Sequence, residues 1–443
     1  MEANGMIYER QHMEDFDGVV FPDLKQHSGN IIIFGAGVNG LLTAHVLEEQ
    51  GIKYICYCDS DRRKHGTVYC GRKVISPVDM QKSYPCAMII MTPYCYQGTV
   101  EMLSNLGYPR ERITTPVQLF LGMDLIKAAS AVSKHVQDKN ISLNDDGYAF
   151  SDDIKPRQVF EWVDEYMIKS PGFYHKTPTF SRAINLDVTN RCTLNCRGCL
   201  GFKPYYKGHE KFHDLSWPQM ELVVDRLFSL KYFNRFHLLG GETFLYKDLS
   251  KLLNKLTSCP DIDRVAVITN ATVIPDGDVI ESLKSKKLFV RISDYGELSH
   301  KKSELEELCA VEGIDCTRHA QRWQDIGTIL SVANSDENTI STFHTCSQYL
   351  GAFTYITRGK CYLCPFAANV SQLGVVQEKS SDYVDILSNA FTSEGFRKEL
   401  HERYLNEKPL EACRYCNGWS YITDPYPVAQ QFEGDVLPLI QRM

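Results

Sequence analysis

The sequence predicts an α/β protein with two parallel-sheet units in series, the second running into a cysteine-bearing C-terminal segment. Three observations predict it. A β-branched run enters a glycine turn and then a helix near residue 30. From Ala183 to Asp294, apolar strands alternate with amphipathic helices, the signature of a parallel sheet. Finally, eight of the sixteen cysteines fall in tight groups from residue 192 onward.

The first element is Asn30–Gly40, NIIIFGAGVNG, followed by helix formers over Leu41–Glu49. This is strand, tight turn and helix, with Gly35, Gly37 and Gly40 in GxGxxG spacing. A second strand, Ile55–Cys58, ends at Asp59, placed to accept from a ribose while the helix start faces a phosphate. Ala87–Thr92 supplies a further parallel strand. The unit ends by about Pro116, so it is half of a doubly wound domain. Residues 1–122 are therefore expected to form a Rossmann-like unit that either binds a nucleotide or merely docks a substrate or neighbouring domain. Its stretch GTVYCGRKVISP resembles the short sugar-nucleotide or coenzyme-binding domains that precede enzymes of surface-polysaccharide assembly. Residues 123–180 read as a linker with helical stretches at Asp124–Val136 and Pro156–Lys169.

Composition narrows the classes of function. The 443 residues allow about three domains, and 43% apolar with 23% charged residues is globular, not disordered. A net charge of -7 gives no sign of nucleic-acid binding. No apolar run reaches the ~18 residues of a membrane span, and Met1–Asp15 lacks the apolar stretch of an export signal. A cytoplasmic protein without a membrane or nucleic-acid partner is expected. In that reducing compartment, grouped thiols point to metal. The scattered ones, Cys309 and Cys316 among them, read as small buried hydrophobes.

The middle region, 181–335, opens with strand Ala183–Val188 and runs into Cys192, Cys196 and Cys199, spaced CxxxCxxC. Three thiolates do not close a four-ligand zinc site, but they suit a [4Fe–4S] cluster with one iron open to another ligand. They also lie just past a strand's C-terminal end, where function collects in parallel α/β folds. Strand Phe236–Leu239 then leads into Gly240, Gly241 and Glu242. Between them, Ser216 and Gln219 form a capping box ahead of an apolar face of Met220, Val223, Val224 and Leu227. A second helix carries Leu249, Leu252, Leu253 and Leu256 on one face. Strand Val265–Ile268 ends at Asn270, and strand Leu288–Ile292 ends at Ser293 and Asp294.

CTLNCRGC after a strand, followed by GGE after the next, resembles the signature of radical S-adenosylmethionine (radical SAM) enzymes. The resemblance implies a partial (β/α)6 barrel whose three cysteines hold a SAM-binding [4Fe–4S] cluster. It implies that Gly240, Gly241 and Glu242 receive the methionine ammonium, and that Asn270, Ser293 and Asp294 line the SAM carboxylate, ribose or substrate. One departure is Gly198, where the family often has an aromatic residue that packs on the adenine.

The tail, 336–443, carries Cys346, then Cys361 and Cys364 as CxxC, then Cys413 and Cys416 as CxxC. Paired knuckles alone would suggest zinc. In this chain they resemble the SPASM or shorter twitch extensions of radical SAM enzymes: a first cysteine, a GxxxxC hairpin from Gly359 to Cys364, and a CxxC after a helix over Ser388–Tyr404. The resemblance implies one auxiliary [4Fe–4S] cluster on Cys346, Cys364, Cys413 and Cys416, with Cys361 spare or an alternate ligand. The segment Arg322–Gly327 reads as a substrate wall or as a loop packed by its tryptophan. No histidine pair has metal-ligand spacing.

The expected function is a radical SAM oxidoreductase, dehydrogenase or epimerase in type. It would take a hydrogen atom from a small sugar- or nucleotide-linked substrate such as a surface-glycan precursor, with a flavodoxin- or ferredoxin-type electron donor. An auxiliary cluster suits oxidation, whereas epimerisation needs a thiol hydrogen donor, for which Cys309 or Cys316 is a candidate. Peptide modification is the enzymatic alternative, and a zinc-stabilised nucleotide-binding scaffold the non-enzymatic one.

Overall fold

A computed structural model describes residues 19–92, 96–120, 183–207, 214–321, 323–327, 333–350, 354–405, 408–419 and 424–434. The chain divides into two compact units, Met1–Thr179 and Phe180–Met443. The expected linker helices, the start Met1–Asp15 and Arg322 lie outside the described residues.

In the first unit, strands β1 (Ile31–Phe34), β2 (Cys56–Cys58), β3 (Val68–Tyr69), β4 (Arg72–Ile75), β5 (Met88–Met91) and β6 (Ile113–Thr114) form one sheet in the order β3-β4-β2-β1-β5-β6. Only the β3–β4 pair is antiparallel. β1 lies centrally with β2 and β5 on its two sides, so the chain reverses its order there and opens a crevice after β1. Ile31 to Phe34 are all buried, as a strand covered on both faces requires. The glycine turn follows, then the helix Val38–Glu49. A Cβ at Gly40 would stand 2.0 Å from the Gly35 carbonyl oxygen, so only glycine permits this close return.

The second unit is built on β7 (Ala183–Thr189), β8 (Arg235–Gly240), β9 (Arg264–Thr269), β10 (Leu288–Asp294), β11 (Cys316–Ala320), β13 (Thr354–Thr357), β14 (Lys360–Tyr362) and β15 (Tyr383–Asp385). Their order is β11-β10-β9-β8-β7-β13-β14-β15. The six strands from β11 to β13 are parallel, and β14 and β15 are added antiparallel. Sequence reading placed the β13–β14 hairpin in a separate C-terminal domain beginning at 336. Instead, β13 pairs with β7 and continues the same sheet. Its two-residue turn, Arg358 and Gly359 at φ 53° and 77°, matches the right-handed twist of the strands it joins.

Side-chain alternation sorts this sheet into two faces. Ile184, Leu186, Val188, Phe236, Leu238, Val265, Val267, Leu288, Val290 and Ile292 enter one apolar cluster. Met220, Val223, Val224 and Leu227 of the helix Trp217–Ser229 pack against them, as do the four leucines of the helix Leu249–Ser258. The Ser216–Gln219 capping box forms as its sequence indicates. The intervening positions, Asn185, Asp187, His237, Arg291 and Ser293, fall on the other face. The C-terminal helix starts at Ser393, later than Ser388. Among the described residues no helix is long and apolar enough to cross a membrane.

His319 on β11 carries a consequence of this packing. Burial first, and Arg291 second, push its imidazole down to about 3. The folded chain therefore keeps His319 neutral where the unfolded chain takes a proton below about pH 6.5. Stability from this residue is complete above that pH and is lost on acidification. Urea unfolding at pH 7.5 and 5.5 should show a loss on the order of 1 kcal/mol that His319→Gln removes.

Candidate functional site

The cluster loop begins where β7 ends. Gly241 N donates to Thr189 O at 2.8 Å and Glu242 N to Arg191 O at 2.8 Å, so the GGE turn after β8 lies directly against the start of the cysteine loop. Both glycines are required by closeness: a Cβ at Gly240 would come within 2.5 Å of Thr189 O, and one at Gly241 within 2.1 Å of Arg191 O and 2.8 Å of the Cys192 Cβ. The loop closes with the helix Lys203–Tyr206. Lys203 Nζ bonds Asp187 Oδ2 at 2.6 Å and Asn190 Oδ1 at 2.7 Å, with both charged side chains almost wholly buried. Asp187 thus anchors the loop at one end and Lys203 at the other.

Within this frame each of the three thiols has its ionisation held back. Burial raises Cys192 to about 11, with Cys199 adding to it, and Cys196 to about 12, with Cys199 and Cys192 adding to it. Burial raises Cys199 as well, opposed by Lys203. Thiols whose ionisation is held back in this way, Cys196 buried and Cys192 and Cys199 half-buried, fit a site where iron supplies the compensating charge. Among the described residues no three His, Cys, Asp or Glu side chains gather as ligands to a single ion. Asp187 Oδ1, on the side of Gly240, is buried without a hydrogen-bond partner among the described residues.

The remaining expected site residues divide. Asn270 lies against the cysteine loop: its Nδ2 donates to Cys192 Sγ at 3.7 Å, while its Oδ1 accepts from Thr272 N and Oγ1. Ser293 is buried on the same face. Glu242 is fully buried, and its carboxylate accepts from Phe244 N, Thr269 Oγ1 and Asn270 N. Burial still raises it to about 7. It braces the GGE turn onto the end of β9 in place of the free acceptor that its sequence position suggested. Asp294 is a second correction. Period-2 alternation turns it away from Ser293, and it holds Lys302 at 2.8 Å and Gly296 N at 2.9 Å.

Tyr295 and Tyr426 carried no sequence signal, whereas Trp323 belongs to the segment Arg322–Gly327 singled out by sequence. Tyr295 is half-buried near Cys192, Cys196 and Cys199, and desolvation first, with these thiols adding to it, pushes its phenol far up. It stacks edge-on with Trp323 at 5.7 Å. Trp323 lies on β12 (Trp323–Gln324), which pairs antiparallel with β16 (Pro425–Tyr426). The Tyr426 ring lies over Gly198, where a Cβ would meet its Cε1 at 2.4 Å. An aromatic side chain from the far end of the chain thus stands beside the glycine that departs from the family pattern.

A second thiol set lines a cavity of its own: Cys346, Cys364, Cys413 and Cys416, with Phe343, Leu363 and Phe366 around them. Burial raises Cys413 to about 12, with Cys346 adding to it, and lifts Cys364 and Cys416 further. Cys416 Sγ accepts from Gly418 N at 3.2 Å. Cys361 is not part of this set. It is buried in the core with Ile356 and Val384, on the face of β14 opposite Tyr362. Cys309 and Cys316 also lie elsewhere: Cys316 starts β11, at the end of the sheet away from the cluster loop, and both pack in the helix-side core. Neither is placed to give a hydrogen atom to a substrate at the cluster.

In the first unit Asp59 is occupied. Its Oδ2 accepts from Ala36 N at 2.8 Å and its Oδ1 from Asp61 N at 2.8 Å, so it buttresses the glycine turn and is not open to a ribose. Lys64 Nζ reaches Ala36 O at 2.7 Å beside it. Gly35 and Gly37 shape the turn, with Gly37 preceding a helix start that has no side-chain cap.

Residues 186–293 match the radical SAM superfamily. They span the cysteine loop, the GGE turn, Asn270 and Ser293. The chain thus carries a radical SAM domain, and a [4Fe–4S] cluster and SAM are the cofactors of that superfamily. Similar proteins include GTP 3',8-cyclase of Alkaliphilus metalliredigens (strain QYMF), 28% identical over 26% of this chain and 36% of that protein. GTP 3',8-cyclase of Vibrio atlanticus (strain LGP32) is 34% identical over 20% of this chain and 26% of that protein. The chain therefore matches about a third or less of these relatives' length. Among solved structures, BtrN in complex with AdoMet and 2-DOIA is 17% identical, with a TM-score of 0.37, covering 58% of this chain and 98% of that one. Streptococcus suis SuiB bound to precursor peptide SuiA is 18% identical, with a TM-score of 0.26, covering 43% and 45%.

The Lys203–Asp187 pair yields a test of the loop's anchorage. Lys203→Met leaves the Asp187 carboxylate buried without its cation, which costs about 3–5 kcal/mol. Denaturant unfolding should show that loss, and Lys203→Met/Asp187→Asn should recover a large part of it.

Proposed function

We propose that this protein is a radical SAM oxidoreductase acting on a small sugar- or nucleotide-linked substrate in the cytoplasm. The observation that carries the proposal is a CxxxCxxC loop whose three thiols are held from ionising, set against a GGE turn whose two glycines leave no room for a side chain. Cys192, Cys196 and Cys199 would hold the [4Fe–4S] cluster. Backbone groups of Gly240 and Gly241, with Asn270 and Ser293, would orient SAM. Bound there, cluster and SAM together supply one-electron chemistry that takes a hydrogen atom from an unactivated carbon. The protein's own part is positional: the Lys203–Asp187 pair fixes the loop, with the Tyr426 ring over Gly198 and the Tyr295–Trp323 pair beside it.

Cys346, Cys364, Cys413 and Cys416 would hold an auxiliary [4Fe–4S] cluster in a twitch-like segment. Four thiols lining one apolar cavity support it. A four-ligand cluster is suited to accept an electron, and among the described residues neither Cys309 nor Cys316 lies at the first site, so oxidation is favoured over epimerisation. The glycine crevice after β1, with Lys64 at its edge, supports recognition of a phosphate-bearing group by the first unit. The names of the matched cyclases, which act on GTP, agree with a nucleotide-linked substrate.

Anaerobic reconstitution with iron and sulfide, followed by dithionite and SAM, tests this reading. The wild type should bind about eight irons, the content of two [4Fe–4S] clusters, and form 5′-deoxyadenosine. Cys196→Ala should abolish 5′-deoxyadenosine and keep the auxiliary cluster. Cys413→Ala should remove about four irons and spare the first cluster. One zinc, little iron and intact SAM would favour the scaffold alternative.

A further inference from the structure

We infer that Gln431, near the end of the described chain, is a tuning donor to the SAM-binding cluster: its side-chain N–H bonds the Cys196 thiolate and holds that cluster's reduction potential up. The inference rests on the reading that Cys192, Cys196 and Cys199 carry the cluster.

The geometry begins with the backbone. Residues 430–432 lie antiparallel along the cysteine loop: Arg197 N donates to Gln430 O at 2.7 Å, Phe432 N donates to Asn195 O at 2.9 Å, and Cys196 and Gln431 form the bridge between them. The Phe432 ring stacks edge-on against Tyr205 at 5.8 Å, securing the strap to the far end of the loop.

The Gln431 side chain is then fixed at both ends of its amide. Its Oε1 accepts from Asn195 N at 2.7 Å. That backbone N–H can only donate, so the amide is oriented with its nitrogen toward the sulfur. Nε2 has two hydrogens: one goes to Ala429 O at 2.6 Å and the other to Cys196 Sγ at 3.2 Å. Reversing the amide would set Oε1 against a carbonyl and a thiolate. Cys196 is 7% exposed, so water does not compete for this bond. With Asn270 donating to Cys192, two of the three ligand sulfurs receive an amide N–H.

Hydrogen bonds to cluster sulfurs are among the determinants of reduction potential. A reduced cluster carries one more negative charge, part of it on the thiolates, so an N–H aimed at sulfur stabilises the reduced form more than the oxidised one. A strap held by backbone pairing alone would not have this effect.

The test compares Gln431→Leu and Gln431→Glu with the wild type as full-length, anaerobically reconstituted protein. Gln431→Leu keeps the backbone pairs and loses the donor. Gln431→Glu keeps an acceptor for Asn195 N and turns a carboxylate oxygen toward the sulfur. Redox titration followed by electron paramagnetic resonance reads the potential of the cluster whose signal responds to SAM, alongside iron and sulfide content. Both variants should load the cluster and shift its potential downward, Gln431→Glu further, on the order of a tenfold loss in the reduction equilibrium, about 59 mV for one electron. The auxiliary cluster should not move. A fully loaded cluster at wild-type potential in either variant would overturn the inference. So would outright loss of the first cluster with the fold intact, because Gln431 would then be a strap only. Failure of the underlying reading is separate: the wild type would show no SAM-responsive cluster.

Discussion

The arrangement at the site depends on one buried ion pair. Asp187 stands on β7 two residues before the strand ends, and Lys203 opens the helix that follows the cysteine loop. Their 2.6 Å contact, shared with Asn190, closes the loop on itself. A charge pair so deeply buried is a costly way to add stability, because both ions lose their water. What it supplies is register. Neither end of the loop can slide without leaving a charge unpaired, so the loop that carries the three cysteines is held in place by its own ends.

The two faces of the second sheet carry out separate tasks. Its helix-side face is an uninterrupted apolar layer, and its other face collects the polar residues at the strand ends. Asp294 shows how strict the division is. One residue beyond Ser293, it belongs to the opposite face and is engaged by Lys302. Glu242 shows a different economy: a carboxylate fully enclosed by three donors holds two strand ends together and so shapes the site through its neighbours.

The C-terminal region is less of an appendage than its sequence position implies. β13 extends the parallel sheet beside β7, β16 pairs with β12 next to Tyr295, and residues 430–432 lie along the cluster loop. The polypeptide that bears the second thiol set thus also walls the first.

What the sequence determined by itself is whatever depends on local spacing. The GxGxxG turn, the Ser216–Gln219 box, the leucines of 249–256 and the CxxxCxxC and GGE motifs all express their chemistry within a dozen residues, so periodicity and residue type reveal them. Cys346, Cys364, Cys413 and Cys416 were singled out by a family resemblance, and the fold lines one cavity with these four while burying Cys361 in the sheet core. Tertiary structure alone decided the partners of charged groups. Asp59, Glu242 and Asp294 read as open acceptors until folding assigned them donors, because a sequence shows that a carboxylate is present but not what lies against it. The same holds for Gln431 and Tyr426, the first of which reaches Cys196 across a separation of 235 residues. No spacing rule links such positions; only the pairing of strands and the docking of a tail bring them together.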